Sequence, residues 1–415
     1  MTLYSPVLVI VLCCSWTALT ASIGNDVTID DSIPYPVIIF PGLAGSQLQA
    51  RLNRTHTAHW YCSKKSDWYR IWLDLKYLLP PAINCFKDNF RLVYNNKTGL
   101  TENVAGVETR VEDYGNVTTL EYFLDVKAEP AGYYHNLIAG LERLGYQRGI
   151  SLRGASFDFR KAPYESQYTY QNLTKLIEET YVMNGGKPVI LICHSSGCTY
   201  NYFFLLQKDV NWKNKYIKAW LTLGAPLGGA SEALEAVVTG NNFHFKSYSK
   251  TLFRDLERSF SSISATMPIS SIFGDTTLIK IGDKNLTSYH LSQIYDMLND
   301  KNGKKMWEKM MAITPFDFPF PGVETHCIRS LGLNTLQGLE YADMKSFPLK
   351  PKRLIYGPGD ETVNQISADV CLRWSNQPNF YTKQYDKVRH LDLVKFNETL
   401  TYLIENIIFP VRTDL

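Results

Sequence analysis

The sequence predicts an α/β fold in which a parallel sheet is covered by helices, and three observations support this prediction. The chain has 415 residues, 45% of them hydrophobic, which is enough to bury a large core. Short apolar runs recur and end near Gly or Pro: PVIIFPG (36–42), KPVILICHSSG (187–197), AWLTLGAPLGG (219–229) and KRLIYGPGD (352–360). Such continuous runs are typical of strands that are buried on both faces of a parallel sheet. Helical patterns, as in residues 172–183 and 199–208, separate these runs.

Charge and length set limits on partners and domains. The 43 Lys and Arg residues nearly balance the 40 Asp and Glu residues, and a formal net charge of +3 predicts no nucleic-acid partner. The length allows one large α/β domain with insertions, or two or three small domains. Residues 51–110 are rich in Trp and Tyr, whereas residues 240–325 are polar and partly helical. We interpret both stretches as insertions that interrupt one domain over residues 33–415.

Residues 1–22 predict a secretory signal peptide. An apolar run extends from Val7 to Cys14, and small residues from Thr17 to Ser22 offer a cleavage site, although no Lys or Arg precedes the run. The alternative is an uncleaved anchor, but the run is shorter than a membrane span requires. No other segment is long and apolar enough to cross a bilayer, so we expect a mature protein that is soluble in a lumen or outside the cell.

Six Asn-x-Ser/Thr sequons agree with passage through the secretory pathway, where such sites accept glycans. They lie at Asn53, Asn96, Asn116, Asn172, Asn285 and Asn397. A single sequon often occurs by chance, so their weight comes from their agreement with the signal peptide.

Six cysteines remain after the predicted signal peptide: Cys62, Cys85, Cys193, Cys198, Cys327 and Cys371. In an oxidising compartment an even number predicts disulfides, but the spacing leaves their pairing open. The motif HTAHWYC (56–62) has the residue types of a zinc site. No second ligand cluster follows at the spacing of a zinc finger, so we predict no metal.

The stretch LICHSSGCTY (191–200) predicts a nucleophile, because it places serine between a strand and a helix. The α/β-hydrolase elbow, G-x-S-x-G, needs small residues two positions before and two positions after its serine. Ser195 has Cys193 and Gly197 at these positions, whereas Ser196 has less suitable residues at both. We therefore predict Ser195 as the nucleophile, with an ordinary strand-to-helix turn as the alternative.

A serine hydroxyl needs an imidazole base and an acid that orients it, and in this fold the order along the chain is serine, acid, histidine. Asp360 ends the run LIYGPGD, and His390 follows in KVRHLDL. His326 lies in a stretch that we interpret as a loop with a structural role, and His194 would face back into the elbow. The rival acids do not directly follow a buried apolar run; they are Asp369, Asp386 and Asp392.

The tetrahedral intermediate needs two backbone N–H groups that point at its oxyanion. In the elbow arrangement one donor is the residue after the nucleophile, here Ser196, and the other follows the first strand. The loop PGLAGS (41–46) supplies that second donor, which we assign to Leu43.

These motifs together resemble the lecithin:cholesterol acyltransferase and lysosomal phospholipase A2 family. The similarity extends from Pro34 to Ile408 and includes PVIIFPGLAGSQLQARLN, WYCSKKSDWYRIWLDLKYLLPPAINCFKDNFRLVYN, RGASFDFRKAP, KPVILICHSSGC, LGAPLGG, GDETVN and RHLDL. The resemblance implies an α/β-hydrolase fold whose catalytic triad is Ser195, Asp360 and His390. It also implies two disulfides, Cys62 with Cys85 and Cys327 with Cys371.

The same resemblance bears on the two cysteines at the elbow. Cys198 matches a free cysteine that the plasma acyltransferase of the family carries just after its nucleophile. We therefore expect Cys198 to be a free thiol, because a disulfide with Cys193 across the elbow would distort the turn.

The resemblance implies a phospholipase A and lipid O-acyltransferase, which moves a fatty acyl group from a glycerophospholipid to the serine and then to water or a ceramide-like lipid alcohol. It implies no cofactor, a phospholipid membrane or lipoprotein surface and a lipid acyl acceptor as partners, and location in the lysosomal lumen or outside the cell. One alternative is a sterol acyltransferase of the lecithin:cholesterol type that depends on an activator lipoprotein. Another is a catalytically dead lipid-binding or adhesion protein on a hydrolase scaffold, against which the intact triad argues.

The family's chemistry suggests roles for the two insertions. Residues 51–110 are predicted to bind a membrane through an aromatic and leucine-rich surface. Its lipid-binding residues would be Trp68, Tyr69, Trp72, Leu75, Leu78 and Leu79. The alternative is that these side chains pack under the disulfide as core. Residues 240–265 lie where the family has its lid, within the predicted cap insertion 240–325, and a solvated helix is the alternative there.

Overall fold

The computed structural model describes residues 35–124, 131–242 and 248–410. The predicted signal peptide, residues 1–22, lies outside these ranges, as do residues 243–247 of the predicted lid. No helix within the described ranges has the length and apolar character needed to cross a membrane.

The described strands are β1 (Val37–Phe40), β2 (Leu48–Asn53), β3 (Lys65–Trp72), β4 (Leu92–Asn95), β5 (Leu100–Asn103), β6 (Val107–Val111), β7 (Leu152–Gly154), β8 (Val189–His194), β9 (Ile217–Leu223), β10 (Thr277–Ile281), β11 (Lys284–Thr287), β12 (Thr325–Leu331), β13 (Leu333–Tyr341), β14 (Arg353–Gly359) and β15 (Phe380–Asp386). The described α-helices are α1 (Ala82–Phe90), α2 (His135–Arg143), α3 (Gln167–Met183), α4 (Ser196–Leu206), α5 (Val210–Tyr216), α6 (Ser231–Val238), α7 (Arg254–Arg258), α8 (Ser261–Ala265), α9 (Ser270–Phe273), α10 (Leu291–Met297), α11 (Lys301–Ile313), α12 (Gln365–Ala368) and α13 (Asn397–Leu403).

The central sheet has six strands in the order β15-β12-β9-β8-β1-β7, and every neighbouring pair is parallel. Alternate residues of a strand point to opposite faces, and β1 divides its side chains in this way. Ile38 and Phe40 join a core with α3 and α4, whereas Val37 and Ile39 join a second core with α2 and α13. The predicted α/β fold, with a parallel sheet covered on both faces, is therefore confirmed.

One of the four runs that predicted buried parallel strands has a different place. Residues 353–359 form β14, which is largely exposed and antiparallel to β13 in a second sheet of order β11-β10-β13-β14. In the central sheet β9 is instead followed by β12, THCIRSL, which is buried along its whole length. From the sequence β12 was not recognised as a buried strand, because it contains polar side chains. Two of them have partners distant in the chain: His326 binds Tyr402, and Arg329 binds Asp369. The interpretation of His326 as a loop residue was wrong.

The two predicted insertions contain their own small elements. Within residues 51–110 the chain forms most of the three-stranded sheet β3-β2-β6, the hairpin β4-β5 and helix α1. Within residues 240–325 it forms short helices, and it adds β10 and β11 to the second sheet. Helix α11 begins at a polar cap, since Asp300 accepts a hydrogen bond from the N–H of Gly303.

Candidate active site

The predicted nucleophile lies at the junction of β8 and α4. Ser195 has φ 55° and ψ −139°, a strained backbone conformation that is typical of a nucleophile elbow. Gly197 is required there, because a Cβ atom at this position would lie 2.1 Å from the carbonyl oxygen of Pro41. Gly42 approaches the elbow from the other side, where an added Cβ atom would lie 2.8 Å from the Cβ atom of Ser195. The elbow and the loop after β1 are thus in direct contact.

The expectation of a free thiol at Cys198 was wrong. Cys193 and Cys198 form a disulfide, and their Cα atoms are 5.0 Å apart. The elbow turns the chain so sharply that the end of β8 lies close to the first turn of α4. The Cα atoms of the two cysteines are therefore near enough for their sulfur atoms to bond. Ser195 keeps its strained conformation inside the closed loop. The two disulfides implied by the resemblance are also present, Cys62–Cys85 and Cys327–Cys371.

Asp360 follows β14, His390 begins a short 3₁₀ turn after β15, and both side chains are buried. Nδ1 of His390 lies 2.7 Å from Oδ2 of Asp360, and the N–H of His390 donates to the carbonyl oxygen of Asp360 at 3.0 Å. The N–H groups of Thr362 and Val363 donate to the other carboxylate oxygen, Oδ1. The carboxylate is therefore fixed on both oxygens, whereas the rival acid Asp369 binds Arg329.

Nε2 of His390 is buried and has no hydrogen-bond partner among the described residues. Because the Asp360 carboxylate accepts the Nδ1 proton, Nε2 carries the lone pair in the neutral ring. Burial lowers the pKa of His390, but the charge of Asp360 and its hydrogen bond outweigh burial, so the pKa is raised above 6.5. The unpartnered nitrogen and the elbow serine have the chemistry of a general base and a nucleophile.

The two predicted oxyanion donors lie on either side of the elbow. Leu43 is half-buried in the loop after β1, and Ser196 is the first residue of α4, where helix N–H groups lack partners within the helix. The neighbouring N–H of Gly42 is already used, since it donates to the hydroxyl of Tyr133 at 2.9 Å. Leu43 is therefore the next residue in this loop with an N–H available for an oxyanion.

Sequence reasoning missed Tyr133, and for His194 it expected only that the side chain faces back into the elbow. Tyr133 Oη lies 2.8 Å from Nδ1 of His194, and Nε2 of His194 lies 3.1 Å from the carbonyl oxygen of His390. The position of His194 next to the elbow serine was a usable signal. Tyr133 had none, because it meets His194 across a separation of 61 residues.

The predicted lipid-binding side chains divide into three groups. Trp72 and Leu78 are buried, with Trp72 only 4% exposed, so their prediction as surface residues was wrong. Trp72 stacks on Phe90 and donates from its indole N–H to the carbonyl oxygen of Ala44. Trp68 and Tyr69 are half-buried, whereas Leu75 and Leu79 are exposed.

Two exposed aromatic side chains at the first disulfide were not predicted. Trp60, 94% exposed, and Tyr61 directly precede Cys62. Tyr61 accepts a hydrogen bond from Asn84 of α1, the helix that contains Cys85. Trp60 and Tyr61 thus lie just before the segment closed by the first disulfide, and Leu75 and Leu79 lie within it.

The six predicted glycosylation sites differ in their exposure. Among the sequon asparagines Asn116 and Asn172 are half-buried, and the exposed ones are Asn53, Asn96, Asn285 and Asn397.

In the predicted lid α8 is buried along its length, which argues against a solvated helix. Glu257 of α7 is also buried, and burial raises its pKa to about 9 although it accepts a hydrogen bond from the N–H of Asn241. No group of three or more His, Cys, Asp or Glu side chains in the described part of the chain could hold a metal ion.

A serine on a strained turn after a parallel strand, with a buried Asp–His pair from later strands, defines a serine enzyme of the α/β-hydrolase class. Comparison with known proteins narrows this class. The family model for lecithin:cholesterol acyltransferase matches residues 68–314 and 284–395, and the chain belongs to this family.

Two relatives illustrate the similarity. The human lysosomal phospholipase A and acyltransferase (Homo sapiens) is 32% identical over 379 residues, which cover 90% of this chain and 91% of the relative. The chicken phosphatidylcholine-sterol acyltransferase (Gallus gallus) is 34% identical over 371 residues, 88% of each chain. Among solved structures, the Tle4–Tli4 complex contains a chain that is 12% identical with a TM-score of 0.48, and the match covers 89% of this chain and 97% of that one. The family resemblance seen in the sequence is thus confirmed.

Proposed function

We propose that the protein is a phospholipase A and lipid O-acyltransferase that works through an acyl-serine on Ser195. The observation that carries this proposal is the buried Asp360–His390 pair, whose Nε2 atom is unpartnered among the described residues. The names of the relatives, which include a lysosomal phospholipase A and acyltransferase, support the choice of a phospholipid ester as acyl donor.

In the first half-reaction His390 takes the hydroxyl proton of Ser195 at Nε2, and Oγ attacks the ester carbonyl carbon. The N–H groups of Leu43 and Ser196 stabilise the oxyanion that forms. The intermediate collapses to an acyl-serine, and the lysophospholipid alkoxide leaves with the proton that His390 returns.

In the second half-reaction water or a lipid alcohol gives its proton to Nε2 of His390 and attacks the acyl-serine. The same two N–H groups stabilise the second oxyanion. Collapse releases a fatty acid or an acylated lipid, and Ser195 regains its proton. Asp360 accepts the Nδ1 hydrogen bond throughout and stabilises the imidazolium that forms in each half-reaction.

Ser195→Ala tests the proposal in assays of fatty-acid release from phospholipid vesicles. Loss of the nucleophile from a triad that acts as a unit should lower kcat by about 10⁶-fold. The exposed Ser375→Ala is the matched control and should keep wild-type turnover. Full release by Ser195→Ala, or failure of a fluorophosphonate to label the wild-type serine, would count against an acyl-serine and in favour of a dead scaffold.

The acyl acceptor separates two versions of the enzyme. A phosphatidylcholine-sterol acyltransferase among the relatives supports sterol as an acceptor, whereas a lysosomal relative supports water or another lipid alcohol. Rates of transfer to ceramide and to cholesterol, measured with and without an activator lipoprotein, distinguish them. We place the protein in the lysosome or outside the cell, in line with the same relatives.

We further propose that Trp60, Tyr61, Leu75 and Leu79 bind the lipid interface, because these exposed aromatic and leucine side chains all lie in or directly before the segment closed by the Cys62–Cys85 disulfide. Trp60→Ser should weaken binding to phospholipid vesicles by about tenfold, since an indole loses its burial in lipid. Hydrolysis of a water-soluble ester should be unchanged. Tyr168→Ser, at an exposed aromatic residue of α3, is the control. Equal vesicle binding by both variants would contradict this proposal.

A further inference from the structure

A chain of three hydrogen bonds connects the loop after β1, Tyr133, the last residue of β8 and the turn that contains His390. The N–H of Gly42 donates to Tyr133 Oη at 2.9 Å, and Oη lies 2.8 Å from Nδ1 of His194. Nε2 of His194 lies 3.1 Å from the carbonyl oxygen of His390. Tyr133 is 2% exposed and His194 is 1% exposed, so water does not compete for these bonds.

The direction of every proton in this chain is determined by its end groups. The carbonyl oxygen of His390 can only accept, so His194 carries its proton on Nε2 and accepts on Nδ1. The hydroxyl of Tyr133 therefore donates to Nδ1 and accepts from Gly42. Burial and the neighbouring His390 lower the pKa of His194, which agrees with the neutral ring that this pattern requires.

The residues of this hydrogen-bonded chain are adjacent in sequence to groups that act in the proposed reaction, or are such groups themselves. Gly42 directly precedes Leu43, the assigned oxyanion donor. His194 directly precedes Ser195, and the accepting carbonyl belongs to the base, His390. The ring of Tyr133 also packs against the loop after β1, since a Cβ atom added at Gly45 of that loop would lie 2.7 Å from the ring.

We propose that Tyr133 and His194 are positioning residues, which hold the oxyanion loop and the His390 backbone at fixed distances from Ser195. This inference rests on the proposed acyl-serine chemistry. Neither side chain touches the reacting atoms. They act by pairing the N–H of Gly42, which holds the adjacent N–H of Leu43 in place as an oxyanion donor beside that of Ser196, and by fixing the carbonyl of the base.

Tyr133→Phe is the first test, because it removes one oxygen atom and keeps the ring. The N–H of Gly42 and Nδ1 of His194 both lose their partner, and the loop after β1 is free to shift. A displacement of about 1 Å, or loss of one oxyanion donor, lowers turnover by about 10²-fold. We expect this loss in kcat for a water-soluble ester, with KM unchanged.

Tyr146→Phe is the matched control. Tyr146 is also buried, and its hydroxyl donates to a backbone carbonyl, that of Tyr35, at 2.7 Å. A purely structural role for Tyr133 predicts that both variants lose similar amounts of Tm and keep kcat. Our inference predicts similar losses of Tm, with a fall in kcat only for Tyr133→Phe.

His194→Asn supplies a second, independent variant and a double-mutant cycle. The Tyr133→Phe/His194→Asn enzyme should lose no more than about threefold beyond either single variant, because both break the same chain. Independent, multiplying losses would overturn the inference. If one single variant does not fold, the other is judged by the same split between kcat and KM.

The labelling rate of Ser195 by a fluorophosphonate separates failure of this inference from failure of the proposed function. If wild-type protein is labelled but releases no fatty acid from vesicles, the proposed lipid substrate is wrong. The labelling rate still measures how well the hydrogen bonds of Tyr133 and His194 position the groups around Ser195. Labelling of Tyr133→Phe about 10²-fold more slowly than wild type supports positioning. Labelling at the wild-type rate overturns it, whatever the lipid assay shows.

Discussion

Gly197→Ala tests how closely the elbow depends on contact between α4 and the loop after β1. The added Cβ atom would lie 2.1 Å from the carbonyl oxygen of Pro41 and 2.8 Å from its carbonyl carbon. Both atoms belong to the backbone, so no side-chain rotation relieves the clash. The elbow and the loop must separate by about 1 Å, a displacement that costs about 10²-fold in turnover when it misaligns reacting groups.

Stability and activity should respond to Gly197→Ala in different proportions. Alanine favours a helix over glycine by about 1 kcal/mol, whereas overpacking of a core costs about 1–3 kcal/mol. We therefore expect the free energy of unfolding to fall by at most about 2 kcal/mol while kcat falls about 10²-fold. Urea unfolding and the rate of ester hydrolysis measure the two quantities.

Gly145→Ala is the control for this experiment. Gly145 has φ 92° and no heavy atom within 4 Å of an added Cβ, so the substitution introduces backbone strain without a clash. It should cost about 1–2 kcal/mol of stability and leave kcat unchanged. A Gly197→Ala enzyme with wild-type kcat would refute the claim that this close contact aligns the site.

Three further predictions concern pH and the elbow disulfide. The pKa of His390 is raised above 6.5, and its ring must be neutral to act as base, so kcat/KM should fall with decreasing pH with a midpoint above 6.5; a midpoint below 6.5 would contradict the Asp360–His390 pair. The pKa of Glu257 is raised to about 9 in the folded state, so folding disfavours its charged form and stability is lost as pH rises from about 4.5 towards 9, by up to about 1.4 kcal/mol per pH unit. Glu257→Gln should therefore raise the free energy of unfolding more at pH 8 than at pH 5, and an equal effect at both would show that the carboxyl is already ionised. Replacing Cys193 and Cys198 together by Ala should lower the free energy of unfolding by about 2 kcal/mol, because a loop with a sequence separation of 5 is no longer closed; urea curves with no such loss under oxidising conditions would exclude the disulfide.

The sequence allowed prediction of those parts of the site that depend on local pattern and chain order. Ser195 was recognisable from the apolar run before it and the glycine after it. Asp360 was recognisable only because it ends an apolar run, although that run proved to be an exposed strand of the second sheet. The contact between Asp360 and His390 agrees with the predicted chain order, whereas the burial assumed for the run before Asp360 was wrong.

Features that depend on distant partners escaped prediction. Strand β12 is buried although it contains His326 and Arg329, whose side chains pair with Tyr402 and Asp369 far along the chain. Trp72 belonged to an apolar and aromatic pattern that fits a lipid surface as well as a core, and only the stacking on Phe90 decides between them. Periodicity alone does not distinguish such cases.

The acid and the base of the site come from different sheets. Asp360 follows β14 in the four-stranded sheet, whereas His390 follows β15 at the edge of the six-stranded sheet. The backbone hydrogen bond from His390 to Asp360 and the exposed ion pair between Arg389 and Glu361 join the two ends. The Asp360–His390 pair therefore exists only while the two sheets are docked on each other, so a substitution that loosens this docking should lower activity even where each sheet stays intact.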